Sequence, residues 1–545
     1  MKHTTKFLII LMIVLIVQSF YSGFSQDNQS GETKELIIVE TSDVHGAIFP
    51  YDFLTDRVVD QGYLAAAYII DSLRQRYGKE NVLYVDCGDL LQGDPLANYY
   101  NTIDTITTHP LIQVLNDMQC DVFVVGNHDI EQGKAVWKRA RRFSEFPWLA
   151  ANVVDEKDSS ALIFSPTAIL NKNGLKIGVV GLTTPGIPMW LPENIWKGMR
   201  FEDMVQTIPE YIKLKDSVDI LIGAFHSGIT PQKFTTGYPQ DVPEENASGM
   251  IAKMFPAFSV ILTGHEHKKI PANPVTVPLD SPLIVMPGSK AHFVAFVKIK
   301  YRQDKEGINI LSREAQLIPV RADKLKKELS QKYADIHQMV LNYVNIPIGT
   351  INGRLSAEKS RYQDTPFMDL IHTVQLEVTN ADVSLAACFD DRVVVPAGQI
   401  NRKSTYSIYK YENSLYTVRM KLKDLLDHLA KSAEYFQLKD KQLAVNKKIP
   451  GYNFDMAEGL SYDLIYSEEG PEVLLRKADP HYGSSGEEYI TVAVNSYRAQ
   501  QLNKNYDMEI IWKSEKTIRD YIEEYIRKNS PINPQANNNW SIKIK

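Results

Sequence analysis

Five short apolar runs in the first half of the chain each end in a polar side chain that could bind a metal ion. The runs are rich in β-branched residues and therefore predict buried strands. They end at Asp43, Asp89, His128, His226 and His265. Helical patterns such as 64–76 and 131–143 separate some of the runs, as in an α/β domain with a covered sheet. Because open α/β sheets bind ligands at the carboxyl ends of their strands, these polar side chains are expected to converge.

The polar side chains belong to an ordered series of short motifs. The series consists of Asp43-Val-His45, Gly88-Asp89, Gly126-Asn127-His128-Asp129, a single His226 and Gly264-His265-Glu-His267. Each motif alone is weak, because an aspartate after a strand commonly caps a turn and a histidine is more often structural. Chance would rarely supply all five. Carboxylate, imidazole and amide oxygen without thiolate suit Mn, Zn, Fe or Co, and Asp89 is the best candidate to bridge two metals about 3.5–4 Å apart.

This series resembles the calcineurin-like metallophosphoesterases over roughly residues 35–300. The resemblance implies an N-terminal domain of four layers, αββα, with two sheets sandwiched between helices. It also implies two divalent metal ions, one held by Asp43, His45, Asp89 and His267, and the other by Asp89, Asn127, His226 and His265. The expected reaction is attack on phosphorus by a hydroxide that bridges the two metals.

Two further residues receive roles from the same resemblance. His128 would stay unligated beside the leaving group and would stabilise or protonate the departing oxygen. Glu131, at a position where an aspartate is common, would orient that histidine. Alternatively, Glu131 opens the next helix as an acid of the first turn.

The second half of the chain has a different character. Residues 322–344 are charged and helical in period, and a short linker follows. Amphipathic helices are predicted at 367–378 and 422–436 among short strands, which indicates an α+β domain. We therefore predict a first domain at 33–320, an interdomain helix and linker at 321–349, and a second domain at 350–545.

Five segments of this second half resemble the C-terminal domain of the bacterial 5′-nucleotidase and 2′,3′-cyclic-nucleotide 2′-phosphodiesterase/3′-nucleotidase family. The segments are 367–372, 381–384, 409–413, 451–455 and 495–498. In that family two aromatic rings sandwich the nucleobase, and the matching positions are Tyr452 and Tyr497, with Asn453 as a further substrate contact. Stacking on aromatic rings suits a broad range of bases. The alternative is that both tyrosines are strand or core residues.

One segment departs from that family. After the second aromatic the family usually has Gly-Gly-Asp or Gly-Gly-Gly, whereas this chain is expected to have a bulkier loop that reads Ala-Gln-Gln-Leu-Asn-Lys-Asn over 499–505. Arg392 and Arg402 could contact phosphate or ribose, but arginines are more often solvated at the surface.

The N-terminus reads as an export signal. Lys2 and Lys6 precede an apolar run of eleven residues, and small residues at 23–25 offer a cleavage site. We expect residues 1–25 to be a cleaved signal peptide without a lipid-anchor cysteine, and hence a periplasmic or secreted protein with no stable membrane insertion. An uncleaved anchor helix is the alternative. Cys87, Cys120 and Cys388 are too few and too scattered for a disulfide framework and should be core thiols.

Composition and charge narrow the class of substrate. A hydrophobic content of 44% and a charged content of 23% are typical of a globular protein, and a net charge of -6 argues against binding a nucleic-acid polymer. The leading hypothesis is a monomeric hydrolase of nucleotide phosphate esters, a 5′-nucleotidase and/or a 2′,3′-cyclic-nucleotide 2′-phosphodiesterase/3′-nucleotidase, in extracellular nucleotide catabolism and salvage. The alternatives are the same chemistry on another ester, such as a sugar-nucleotide, or an inactive nucleotide-binding surface protein.

Overall fold

The computed structural model describes residues 32–232, 242–304, 307–439, 441–476 and 488–545. The predicted signal peptide, residues 1–25, lies outside these ranges. Among the described residues, no helix has both the length and the apolar character needed to cross a membrane. Cys87, Cys120 and Cys388 are buried free thiols, as predicted.

Two β-sheets form the centre of the first half of the chain. Within the described ranges the first sheet has seven strands, in the order Val275–Thr276, Gly307–Pro319, Phe293–Asp304, Thr33–Thr41, Val82–Asp86, Val122–Val124 and Trp148–Leu149. The second sheet has six described strands, in the order Lys269–Ile270, Leu283–Pro287, Val260–Thr263, Ile220–His226, Leu175–Thr183 and Thr167–Lys172. The strands that precede the predicted ligands run parallel to one another within each sheet, so their carboxyl ends lie along one edge.

Side chains point alternately to the two faces of each strand, so each sheet packs one face against the other sheet and one face against helices, which gives four layers. Side chains of the two sheets, such as Ile38 and Val85 against Val179 and Leu262, pack together in a buried core between them. The opposite faces pack against helices, so that each sheet is covered on its outer side. The predicted αββα fold of the first half is therefore confirmed.

The helices of the first half lie between the strands. They are Tyr63–Tyr77, Pro95–Thr102, Pro110–Asp117, Asn127–Glu131, Lys134–Arg142, Ile187–Trp190, Glu193–Trp196, Met204–Tyr211 and Ser248–Met254. The helix predicted at 131–143 is Lys134–Arg142, which begins later than predicted because Gly133, with a φ of 82°, separates it from helix Asn127–Glu131. Short strand pairs join Tyr51–Asp52 to Arg57–Val58 and Val153–Asp155 to Met199–Phe201.

The predicted interdomain helix is two helices that pack onto the first half. Lys327–Lys332 and Ala334–Val344 are separated by the fully buried Tyr333. Tyr333, Val340 and Val344 belong to the apolar core that covers the first sheet, and the Tyr333 hydroxyl donates to Asp117 at 2.8 Å.

The second half forms the expected α+β arrangement. Its larger sheet has five described strands, in the order Asp455–Glu458, Val383–Ala387, Tyr489–Asn495, Ser414–Lys421 and Met508–Thr517. A smaller sheet contains Gly470–Leu475, Tyr462–Ser467 and Trp540–Ile544. Strand pairs join Pro347–Ile351 to Gly398–Asn401, Leu355–Ser356 to Val394–Val395, and Phe436–Lys439 to Gln442–Val445.

Five described helices complete the second half. They are Pro366–Thr379, Arg402–Ile408, Leu422–Ala433, Ser496–Asn505 and Ile518–Asn529. The first begins with a proline in its first turn and ends at Asn380 in the left-handed region, so it has both expected boundaries of the helix predicted at 367–378.

Candidate active site

Loops at the carboxyl ends of five strands bring the predicted ligands together. Asp43 and His45 follow Thr33–Thr41, Asp89 follows Val82–Asp86, and Asn127 and His128 follow Val122–Val124. His226 is the last residue of its strand, and His265 and His267 follow Val260–Thr263. Strands of both sheets therefore contribute to the same site.

One group of potential ligands consists of Asp43, His45 and His267, whose ligand atoms lie within 4.8 Å of one another. The Nε2 atoms of the two histidines are 3.0 Å apart, and Nε2 of His267 is 3.3 Å from Oδ1 of Asp43. Nδ1 of His45 is 3.1 Å from the main-chain oxygen of Gln92, which can only accept, so Nδ1 carries the proton. The Nε2 lone pair of His45 is thus directed into the group.

A second group consists of Asp89, His226 and His265, also within 4.8 Å of one another. The amide oxygen of Asn127 lies 3.2 Å from Nε2 of His226 and 3.0 Å from Nδ1 of His265. Nδ1 of His226 donates to the main-chain oxygen of Cys87 at 2.6 Å, which leaves its Nε2 to face Oδ2 of Asp89 at 3.2 Å. Asp89 belongs to this second group, and its role as a bridge to the first remains a prediction.

Five of the predicted ligands have a left-handed backbone conformation. The φ angles are 54° at Asp43, 50° at His45, 57° at Asp89, 77° at His265 and 54° at His267. This conformation costs roughly 1–3 kcal/mol at a non-glycine residue and tends to occur at functional sites. Main-chain hydrogen bonds between the loops offset the cost, since the N–H of Asp43 donates to Gly88 at 2.8 Å and that of His45 donates to Asp89 at 3.0 Å.

Asp129 is a buried organiser of these loops to which the sequence assigned no role. Its carboxylate accepts hydrogen bonds from the main-chain N–H groups of Asp89, Leu90, Leu91 and Gly126 at 2.8–3.0 Å. It therefore ties the Asp89 loop to the Asn127 loop. The acid that directly follows Asn127-His128 was the available signal, but only the fold reveals its partners.

His128 and Glu131 interact on one short helix. The main-chain N–H of His128 donates to Oδ1 of Asp89 at 2.8 Å, and its ring Nδ1 is in direct contact with the Glu131 carboxylate. Glu131 is the last residue of helix Asn127–Glu131 and does not open the next helix, which begins at Lys134. Burial acts to lower the pKa of His128, but the charges of Asp89 and Glu131 outweigh it and raise the pKa to about 10.

The protonation states of most ligands suit divalent cations. His226 differs, because burial acts to lower its pKa but the charge of Asp89 outweighs it and raises the pKa to about 9, so a metal bound there would displace a proton from the ring. Burial lowers the pKa of His45 to about 3 and that of His265 to about 4, so both rings present lone pairs at neutral pH. Burial opposes ionisation of Asp89, but His226 and His128 outweigh it and hold its pKa well below the usual range. Neutral imidazoles, carboxylates and an amide oxygen form a ligand set for Mn, Zn, Fe or Co. The residues present therefore fit the metals that the sequence implies.

A cavity of about 430 Å³ lies between the two halves of the chain. The first half contributes Asn127, His128, His265 and Trp190, and the second contributes Tyr411, Tyr452 and Tyr497. The volume is in the range of small-molecule sites. Potential metal ligands and both predicted stacking tyrosines thus share one cavity. Asn453 lies beside it, with its amide oxygen 3.4 Å from the Arg498 guanidinium.

Trp190 and Tyr411 line this cavity, although the sequence assigned neither residue a role. The Trp190 ring lies 5.5 Å from the His265 ring, between centroids, although the two residues are far apart in the chain. Tyr411 lies within one of the five segments that resemble the nucleotidase family, but the segment gave no sign of its orientation. A long-range contact of this kind leaves no local pattern.

The arginines considered for phosphate or ribose have protein partners. Arg392 is exposed and forms two hydrogen bonds of 2.8 Å with Asp390. Arg402 forms two hydrogen bonds of 2.8 Å with Glu523 and lies over the Tyr343 ring.

The segment 499–505 is not the expected loop but part of helix Ser496–Asn505. This helix packs against Ile187–Trp190 of the first half, and Nζ of Lys504 lies 3.3 Å from the main-chain oxygen of Met189. The segment therefore contributes to the contact between the two halves.

Comparison with protein-family models identifies two domains. Residues 36–269 match the calcineurin-like phosphoesterase model, and residues 347–508 match the model of the 5′-nucleotidase C-terminal domain. Both matches agree with the resemblance noted in the sequence.

Individual relatives extend over nearly the whole chain. It is 25% identical to the trifunctional nucleotide phosphoesterase protein YfkN of Bacillus subtilis over 93% of its own length, although it spans only 39% of that protein. It is also 25% identical to a 2′,3′-cyclic-nucleotide 2′-phosphodiesterase/3′-nucleotidase of Yersinia enterocolitica, with 94% of this chain and 88% of the relative covered.

A solved structure has the same fold. The crystal structure of a putative 5′-nucleotidase from Staphylococcus aureus superposes with a TM-score of 0.81 and 22% identity. The match covers 94% of this chain and all of the other. At this identity the likeness concerns the fold.

Proposed function

We propose that the chain, which joins a match to the calcineurin-like phosphoesterases to a match to the 5′-nucleotidase C-terminal domain, hydrolyses phosphoric esters and that these esters are nucleotides. The observation that carries the proposal is the shared cavity, which is lined both by His128 and His265 and by Tyr452 and Tyr497. A base stacked at the tyrosines would leave its phosphate on the side of the potential metal ligands. The named activities of the relatives support the same substrate class.

In the proposed reaction the metal ligands form two overlapping sets. These are Asp43, His45, Asp89 and His267, and Asp89, Asn127, His226 and His265. Divalent metals bound there would neutralise the phosphate and lower the pKa of a water molecule. The ligand residues would orient these charges.

His128 is proposed to protonate the leaving oxygen. The Glu131 carboxylate accepts a hydrogen bond from Nδ1–H of His128, so the second ring nitrogen is left for the substrate. The hydrogen bond from the His128 main chain to Asp89 holds the ring beside the second ligand group. Glu131 would also stabilise the charged imidazolium before proton transfer.

The test is phosphate release by purified protein reconstituted with Mn or Zn. The substrates are 5′-AMP, 3′-AMP and 2′,3′-cyclic AMP, the last followed by ring opening. His128→Ala should lower kcat by about a hundredfold or more, the typical contribution of acid–base catalysis, while the metal content stays unchanged. His292→Ala, away from the cavity, is the matched control. Absence of turnover on every nucleotide would refute the proposal.

A second candidate keeps the metal chemistry but replaces the substrate with a sugar-nucleotide. It is favoured by helix Ser496–Asn505, which takes the place of the Gly-rich segment expected beside the ligand. Adding a sugar-nucleotide to the substrate panel separates the two, since a higher kcat/KM for it than for any nucleotide would favour this candidate.

We further propose two bound divalent ions, export of the chain and a monomeric state. Metal analysis should give two equivalents of metal per chain. N-terminal sequencing of the exported protein should begin at Gln26, and light scattering should give the mass of one chain.

A further inference from the structure

The two cavity tyrosines come from separate segments that must be held at a fixed spacing. Tyr452 lies in the short helical turn Gly451–Asn453, and Tyr497 lies in the first turn of helix Ser496–Asn505. A base between two rings needs them about 7–8 Å apart, which is twice the contact distance between carbon atoms. Some contact between these segments must therefore set the gap.

Arg498 makes that contact. It follows Tyr497 in the chain, and its NH2 group donates to the main-chain oxygen of Tyr452 at 2.9 Å. The guanidinium also lies 3.4 Å from the amide oxygen of Asn453 and contacts Gln501. Arg498 is only 6% exposed, so these bonds are sheltered from water. One side chain thus joins both tyrosine segments.

A buried carboxylate fixes the guanidinium in turn. Nε of Arg498 is 2.8 Å from Oδ2 of Asp455. Asp455 is 2% exposed and is the first residue of strand Asp455–Glu458 in the larger sheet of the second half. The same oxygen lies 2.7 Å from Nε2 of His428 on helix Leu422–Ala433. Breaking a buried ion pair leaves an uncompensated charge, so the guanidinium has little freedom to move.

We propose that Arg498 is a positioning residue that sets the spacing of Tyr452 and Tyr497, and thereby determines how strongly the site selects substrates that carry a base. The inference rests on the proposed nucleotide activity. Arg498 lines the cavity, but its two terminal NH groups donate to protein acceptors, so it acts through the tyrosines and not on the phosphate.

The experiment compares a nucleotide with the corresponding ribose phosphate, which has the same ester but no base. In Arg498→Met the ratio of the two kcat/KM values, nucleotide over ribose phosphate, should fall by about tenfold, within the range for one lost stacking contact. The loss should appear mainly in KM for the nucleotide. A purely structural role would lower both values together and leave the ratio unchanged, which would overturn the inference.

Two further variants keep the test decisive if Arg498→Met folds poorly. Arg498→Lys keeps the charge opposite Asp455 but loses the planar fork, and should give a smaller fall in the same ratio. In a Tyr452→Ala background, Arg498→Lys should change the ratio little, because its effect passes through the missing ring. Additive effects of the two substitutions would overturn the inference.

Arg476→Met is the matched control in the same half of the chain. Arg476 pairs with Asp463 at 2.8 Å but does not line the cavity among the described residues, so the ratio should stay at its original value. The two possible failures are distinguishable. If the unsubstituted enzyme is inactive on all nucleotides, the proposed function is refuted. If it is active but the Arg498 variants leave the ratio of kcat/KM values unchanged, only this inference is refuted.

Discussion

The two halves of the chain form their parts of the cavity by different means. In the first half every potential metal ligand lies at the end of a strand or within a few residues of one, so the sheet positions it almost directly. In the second half a contact that spans 46 residues, from Arg498 to the main chain of Tyr452, joins the segments that carry Tyr452 and Tyr497. The proposed chemistry thus rests on local geometry, whereas the proposed recognition of a base rests on long-range contacts.

Backbone strain also differs between the potential metal ligands of the first half and the two tyrosines of the second half. Left-handed backbone occurs at Asp43, His45, Asp89, His265 and His267, whereas neither tyrosine of the second half is in that conformation. Rigid sheets can hold such conformations in place because many hydrogen bonds resist relaxation. We therefore expect substitutions in the first half to abolish turnover on all esters, and those in the second half to change selectivity.

The largest effect is expected for Asp89→Asn. Removing a carboxylate from the second ligand group should lower kcat/KM by more than about a hundredfold, because even groups behind metal ligands contribute about 10–100-fold. The loss should be equal for a nucleotide and for the corresponding ribose phosphate, and metal analysis should show reduced occupancy. Asp216→Asn on the surface is the control. A selective loss for the nucleotide alone would contradict the distinction between the halves.

Asp129→Ala should destabilise the first half strongly. The variant leaves four buried N–H groups without their acceptor, and each costs about 1–3 kcal/mol, so we expect a loss of about 4 kcal/mol or more. Urea unfolding followed by circular dichroism measures the free energy of unfolding.

Asp155→Ala is the control for the loss of stability expected in Asp129→Ala. Asp155 accepts from Lys157 and Asp158 in an exposed turn, where water replaces the lost acceptor, so its cost should stay below about 1 kcal/mol. Equal costs for the two aspartate variants would show that Asp129 does not organise the loops.

Tyr452→Ala should raise KM for nucleotides without a comparable effect on the ribose phosphate. One stacked ring contributes about 1–3 kcal/mol, which corresponds to about fivefold to a hundredfold in KM. Tyr452→Phe keeps the ring and should stay within about twofold. Steady-state kinetics on both substrates is the measurement, with the exposed Tyr489→Ala as control. An unchanged KM for Tyr452→Ala would place the base elsewhere.

The smallest effect is expected for Arg402→Met. Arg402 and Glu523 form a partly buried bidentate ion pair, so its loss should cost about 1–2 kcal/mol of stability and leave KM unchanged. Burial opposes ionisation of Glu523, but Arg402 outweighs it and lowers its pKa, so the pair stabilises the fold near neutral pH. The difference in the free energy of unfolding between the unsubstituted protein and Arg402→Met should therefore shrink as the pH falls into the range where Glu523 is protonated. A raised KM would instead indicate substrate contact.

The sequence determined the parts of this protein that local patterns encode. Apolar runs ending in Asp43, Asp89 and His226 predicted the strands and the ligand types, and the 3.6-residue period predicted helix Pro366–Thr379 closely. These features depend on residues a few positions apart, so they can be predicted from a single sequence. The same locality explains why the expected α/β and α+β classes are confirmed.

Only the tertiary structure decided how the segments meet. It placed the start of the helix predicted at 131–143 after Gly133, made segment 499–505 helical and attached the interdomain helices to the first core. It also revealed the four partners of Asp129 and brought Trp190 beside His265. Each of these outcomes depends on backbone groups and side chains that are distant in the chain, and such contacts carry no periodic signal. The sequence therefore specified the chemistry, and the packing of the two halves specified the shape of the cavity in which it is proposed to act.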